Sequence, residues 1–263
     1  MSGRDRELAR VRIRVLTISA VAWILLFTGA GALAHCAAVA SGHLPWRASL
    51  QMVVSMNSPA ALAGGWLLML AAMMSPLLIA PIWHVRLQSF EDRRGLSTLE
   101  FVAGYAMTWM VAGAGVIVLE AAVAVFAPTD YRASVGLLTA LLWQCSPLKQ
   151  RCLNRTHVHP PLAAFGFAAD LDALRFGVSH GIWCVGSCWA LMLFPMLMPR
   201  GHVAAMAVTA FVAFSESMEH PIRPRWNWRL STKLMRVILA QFRIRLNAFN
   251  RTAAQQPDLP YAG

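Results

Sequence analysis

The strongest constraint on this chain is a series of long apolar runs, at residues 15–34, 60–83, 99–126, 133–147, 174–198 and 203–218, set apart by proline, glycine or charge. Hydrocarbon offers the backbone no hydrogen-bond partner, so a run of about 20 apolar residues spans a bilayer only as a helix that satisfies itself. Strict alternation of apolar and polar residues, the mark of a membrane barrel, is absent. With 57% hydrophobic and 13% charged residues in a chain of 263, one soluble core could not cover these runs. The sequence therefore predicts an all-α polytopic transmembrane helix bundle of six spans, with soft boundaries for the short fourth and sixth. Residues 1–14 form a basic N-terminus, 15–221 the transmembrane domain and 222–263 a basic amphipathic tail.

Net charge is +11, which in a soluble protein would point to nucleic acid, but the placement of the charges assigns it otherwise. Arg4, Arg6, Arg10, Arg12 and Arg14 precede the first run, whereas Arg47 alone follows it. The same bias alternates down the chain, so that twenty of the 23 lysines and arginines fall on one side. By the positive-inside rule that side is cytoplasmic, and with six spans both termini are too. The expected location is a bacterial-type inner membrane, multi-pass, with no nucleic-acid partner. The first run also fits a signal peptide ending at Ala32-Leu33-Ala34, which would leave five spans in the same orientation. His35 disfavours a lipoprotein reading through Cys36.

Past Pro221 and Pro224, the segment 226–251 spaces Leu230, Leu234, Val237, Phe242, Leu246 and Phe249 three to five residues apart, with Arg229, Lys233, Arg236 and Arg243 on another face. That pattern predicts an interfacial amphipathic helix drawn to anionic lipids of the cytoplasmic leaflet.

The residue types that carry chemistry collect in the fifth run. His180, Cys184 and Cys188 follow one another at four-residue intervals, which keeps them in one stripe along a helix. Imidazole and thiol groups in a stripe suit soft or borderline transition metals such as copper or zinc. A disulfide between Cys184 and Cys188 is disfavoured, since helix positions four apart hold β-carbons about 5–6 Å apart and a relaxed bridge wants about 3.8 Å. Buried cysteine as apolar filler, with a histidine satisfied by a carbonyl, is the competing explanation. The expected topology brings Cys145, Cys152, His157, His159, Glu216, Glu219 and His220 to the same end of the bundle, with Met69, Met73, Met74 and His84. Methionines also pack helices, and Met73-Met74 before Pro76 fits a kinked contact surface equally well. Glu120 is an intramembrane carboxylate near the opposite end, suited to the interface or to pairing with an outward-side cation.

The run from Ser179 to Met192, SHGIWCVGSCWALM, resembles the central signature of domain-of-unknown-function family 2182, described as predicted metal-binding integral membrane proteins. Met73-Met74 with Pro76 and Pro81, Gly104-Tyr105 with Trp109, and Gln144 to Lys149 leading to Cys152-Leu153 fit the same pattern in order. The resemblance covers roughly residues 60–221 and implicates His180, Cys184, Cys188 and Cys152 as ligands, then Met73, Met74 and Glu216. Many relatives carry a further cysteine where this chain has Thr156, and adjacent cysteines where it has Ser187-Cys188. His157 or His159 would then replace the missing thiolate.

The expected function is handling of a transition metal ion, copper or zinc, by binding, delivery or transport, with a membrane or soluble metal-donor protein as partner. A membrane-embedded redox or structural subunit of a larger complex is the alternative. No P-loop, nucleophile elbow, His-Glu-x-x-His or dinucleotide fingerprint occurs, so an enzyme is not expected.

Overall fold

Glycines determine how closely the two longest helices approach. The computed structural model describes residues 3–28, 58–198 and 200–227, with scattered positions from 236 to 247. Its helices are α1 (Gly3–Phe27), α2 (Pro59–Met73), α3 (Ile79–Gln88), α4 (Arg94–Phe126), α5 (Thr129–Cys145), α6 (Pro147–Thr156), α7 (Gly166–Met196) and α8 (His202–Ser217). Short 3-10 turns at Ser75–Leu78 and Glu91–Arg93 precede α3 and α4. All regular structure among the described residues is helical, as the sequence predicts.

Helices α4 and α7 run parallel and are pressed together through glycine on both sides. A β-carbon at Gly104 would stand 2.5 Å from the Leu174 carbonyl oxygen, and one at Gly181 would stand 2.8 Å from Thr108 Cβ. Gly177 meets the Phe101 carbonyl in the same way. Arg93 and Asp170 pair where the two helices begin. Helix α7 also touches α5, α6 and α8, which makes it the hub of the fold. Trp143 of α5 donates its indole N–H to the Gly186 carbonyl at 3.0 Å and packs its ring on Trp189.

Between α2 and α3 the chain bends by 61°. Pro76 supplies the cause, because without an N–H it cannot bond the Ala72 carbonyl one turn back. Ser19 of α1 donates its hydroxyl to that carbonyl at 2.7 Å, so the freed acceptor stays satisfied among apolar neighbours. Glu7 and Arg86 join α1 to α3 by a second polar link. The Arg86 guanidinium holds the Glu7 carboxyl below its ordinary range against the opposing effect of burial.

The expectation of six spans needs correction. Among the described residues two helices, the stretch 91–126 containing α4 and α7 at 166–196, are long and apolar enough to cross a membrane; the bent pair α2–α3 makes a third if it counts as one span. The reason is length and charge. Helices α5 and α8 have 17 and 16 residues, about 26 and 24 Å at 1.5 Å per residue, against a hydrocarbon core of about 30 Å. Helix α5 also carries Asp130 and Arg132, and the described part of α1 carries Arg10, Arg12 and Arg14. Arg132 is buried, donates to the carbonyls of Ala124 and Ala127, and is close enough to the buried Glu120 to act on its charge.

His35, Cys36, the end of the first run and most of the tail lie outside the described residues. The described positions between 236 and 247 are helical, with Val237, Leu239, Phe242 and Ile244 exposed.

If the glycine contact fixes the α4–α7 spacing, Gly104→Ala will destabilise the protein by roughly 1–3 kcal/mol. Gly115→Ala, in the same helix with nothing within 4 Å of the added carbon, will leave the melting temperature unchanged or raise it. Thermal unfolding of both variants in detergent micelles measures the difference.

Candidate metal centre

The α4–α7 pairing places aromatic donors of one helix over the sulfur atoms of the other. His180, Cys184 and Cys188 all lie on the buried side of α7, at 6%, 2% and 3% exposure. The Tyr105 hydroxyl is 3.3 Å from Cys184 Sγ, and the Ser187 hydroxyl is 3.4 Å from Cys188 Sγ. One helical turn apart on the same face, the two thiols are neighbours. Trp109, fully buried, brings its indole N–H beside Cys184 and Tyr105 without making a hydrogen bond. Hydroxyl and indole donors around sulfur are the groups that stabilise a thiolate once a metal replaces its proton.

The same three residues line a cavity of about 410 Å³, walled also by His157, His159 and Glu216 and by the bent segment from Pro76 to Pro81. Exposed Arg12 and His159 stand on its rim. His180 additionally lines a second cavity of about 320 Å³ with Arg155, Asp172 and Arg175. Its ring packs among Phe101, Tyr105 and Phe176, and its nitrogens meet no hydrogen-bond partner among the described residues. An unclaimed imidazole beside two thiols is a donor set that soft metal ions accept. Among the described residues no three His, Cys, Asp or Glu side chains stand close enough to hold an ion as they are.

The other residues singled out by the sequence take different places. Cys152 of α6 lies with its sulfur against Gly186, outside the cavity lining. Burial pushes its thiol above the ordinary range, and the neighbouring Cys188 adds to this. Cys145, Cys152, Cys184 and Cys188 are all free thiols. Met73 and Met74 are packed in the core next to the helix break rather than on the cavity wall. His157 faces the Leu153 carbonyl with Nδ1 at 2.9 Å and the Ser217 carbonyl with Nε2 at 3.1 Å, so neither nitrogen is aimed into the cavity.

Glu216 is in the cavity wall, yet both its oxygens are bound by the Lys149 ammonium, at 2.6 and 2.5 Å, and one by the Gln144 amide. Lys149, one of the twenty cations that the sequence assigns to the cytoplasmic side, is only 3% exposed at its side chain. Its proximity to Gln144 and Cys145 in the matched segment was the available signal. Removing one member of a buried pair leaves the other charge uncompensated, so Lys149→Met will destabilise by about 3–5 kcal/mol. The double variant Lys149→Met/Glu216→Gln will recover much of that loss, as a thermal melt of the three proteins will show.

His159 carries one more feature of the rim. Its Nδ1 donates to the His157 carbonyl at 2.9 Å, and its ring lies 5.0 Å from that of His84, measured between centroids. Burial holds its imidazole below the ordinary range; the carbonyl bond opposes this, and the nearby His84 and His157 rings add to it.

A family model described as PpoB2, copper chaperone, matches residues 63–240, which include every helix from α3 to α8 and most of α2. No curated protein and no solved structure matches the chain. With the family model covering well over half of its length, the chain belongs to the PpoB2 copper chaperone family.

Proposed function

We propose that this protein is a membrane-embedded copper handler that holds Cu(I) between His180, Cys184 and Cys188 and delivers it to an acceptor protein. The single observation that carries this is the meeting of two free, neighbouring thiols and an unclaimed imidazole in one cavity wall, with hydroxyl and indole donors behind the sulfurs. The family supports copper over zinc, and thiolates favour its cuprous state. Copper is the cargo here. Tyr105, Trp109 and Ser187 position and stabilise the sulfurs, and the Lys149–Glu216 pair adds no net charge beside them. Cys152 is a candidate for a passing contact on the way out.

The apolar helices α4 and α7 and the bent pair α2–α3 support insertion in the inner membrane. The N-terminal parts of α4 and α7, which carry Arg93, Arg94 and Arg175, then face the cytoplasm. On this reading the rim with Arg12 and His159 opens on the cytoplasmic side. Copper is taken from there or released there.

Elemental mass spectrometry on full-length protein, loaded with Cu(I) and then washed with bicinchoninate as competitor, tests the assignment. Wild type will retain stoichiometric copper, and Cys184→Ser/Cys188→Ser will retain almost none. Equal, near-zero retention in both proteins eliminates it.

A further inference from the structure

Two histidines, His159 in the cavity wall and half-buried His84 packed against it, have the geometry of ligands that the site above does not use. His84 of α3 donates Nε2–H to the Pro160 carbonyl at 2.8 Å, and His159 donates Nδ1–H to the His157 carbonyl at 2.9 Å. Each bond fixes a tautomer and leaves the other ring nitrogen with its lone pair: Nδ1 on His84 and Nε2 on His159. Metal-binding histidines are oriented in this way, by donating their second nitrogen to a carbonyl or carboxylate. The two rings meet edge to face at 5.0 Å between centroids. Metal–nitrogen bonds of about 2 Å place two donor nitrogens up to about 4 Å apart, a span of the same order as the separation of these rings.

Their position gives the pair a use. His159 is exposed to solvent and lines the same cavity as His180, Cys184 and Cys188. Phe176 lies between, with centroids 5.7 Å from His84, 6.2 Å from His159 and 5.9 Å from His180. His159 thus shares a cavity wall with the third imidazole and the thiols, and a single aromatic ring separates the histidine pair from His180. Arg12 on the same rim disfavours storage of a cation there and favours a short stay.

We propose that His84 and His159 form a second copper site, an entry pair that captures Cu(I) at the mouth of the cavity and passes it to His180, Cys184 and Cys188. This rests on the α7 stripe being the holding site. Two neutral imidazoles release Cu(I) to two thiols, which lose their protons to solvent through the cavity mouth; no electron moves, and total charge is conserved. Two nitrogen ligands bind Cu(I) more weakly than two thiolates do, which gives transfer its direction.

Full-length protein in micelles, kept anaerobic and given Cu(I) as its weakly bound acetonitrile complex, with bicinchoninate used only in the wash, separates the two sites. His159→Ala and His84→Ala/His159→Ala will reach the wild-type final stoichiometry after the competitor wash but load about 10-fold or more slowly. Without the wash, Cys184→Ser/Cys188→Ser will still take up weakly held copper, with nitrogen and no sulfur neighbours by X-ray absorption, and the further change His159→Ala will abolish it. Wild-type loading rates in both histidine variants, or no copper at all in the cysteine variant while wild type binds, overturn the entry pair alone. Failure of wild type to retain copper overturns the holding site, and the entry pair with it.

Discussion

Backbone contact between α4 and α7 is the constraint on which the site depends. Ordinary side chains keep helix axes about 8–10 Å apart, whereas glycine at 104, 177 and 181 lets carbonyl oxygens and a threonine side chain take the space of a β-carbon. Apolar side chains gain nothing by leaving lipid for another helix, so close fit of this kind must supply the attraction. The fit also sets the register, and the register brings Tyr105 and Trp109 opposite Cys184. A shift of one helical turn, about 5.4 Å, would leave the Cys184 sulfur without its donors from α4.

Around this pair the remaining helices close a largely apolar cavity with a few polar groups in its wall. Helix α6 contributes Lys149 and α8 contributes Glu216, each of which would be costly alone in such surroundings. Bound to each other and to Gln144, they tie three helices to one point beside Cys188. His157 makes a similar tie between the end of α6 and the end of α8. Asn154 adds a third, exchanging two hydrogen bonds with the backbone of Ile222. The walls of the cavity are thus held by polar contacts, and its contents are free of them.

Helical class and the α7 stripe were legible because both follow from a single period: apolar runs of the right length, and reactive residues every fourth position. Span number was not, since a run of 15 or 16 apolar residues reads much like one of 20 until its flanking charges are placed. Arg132 and Lys149 show the same difficulty in the side chains. A cation in a loop-like segment reads as solvated, and only the fold reveals carbonyls at Ala124 and Ala127, or a carboxylate at Glu216, waiting for it. Glu216 was picked out as a charge near the thiols, and it is near them; that its own partner was a lysine already counted elsewhere lay beyond any local pattern. His84 and His159, far apart in sequence, acquire a shared meaning only when their rings are seen to touch.

The link between Ser19 and Pro76 has a consequence for how this chain tolerates change. Proline leaves the Ala72 oxygen without its customary donor, and a hydroxyl from the first helix supplies one. Loss of the hydroxyl strands an acceptor in surroundings where no water can reach it. Loss of the proline instead lets the second helix complete its own ladder and leaves the hydroxyl idle. Two positions distant in the chain thus form one grammatical unit, in which each substitution takes its meaning from the residue standing at the other.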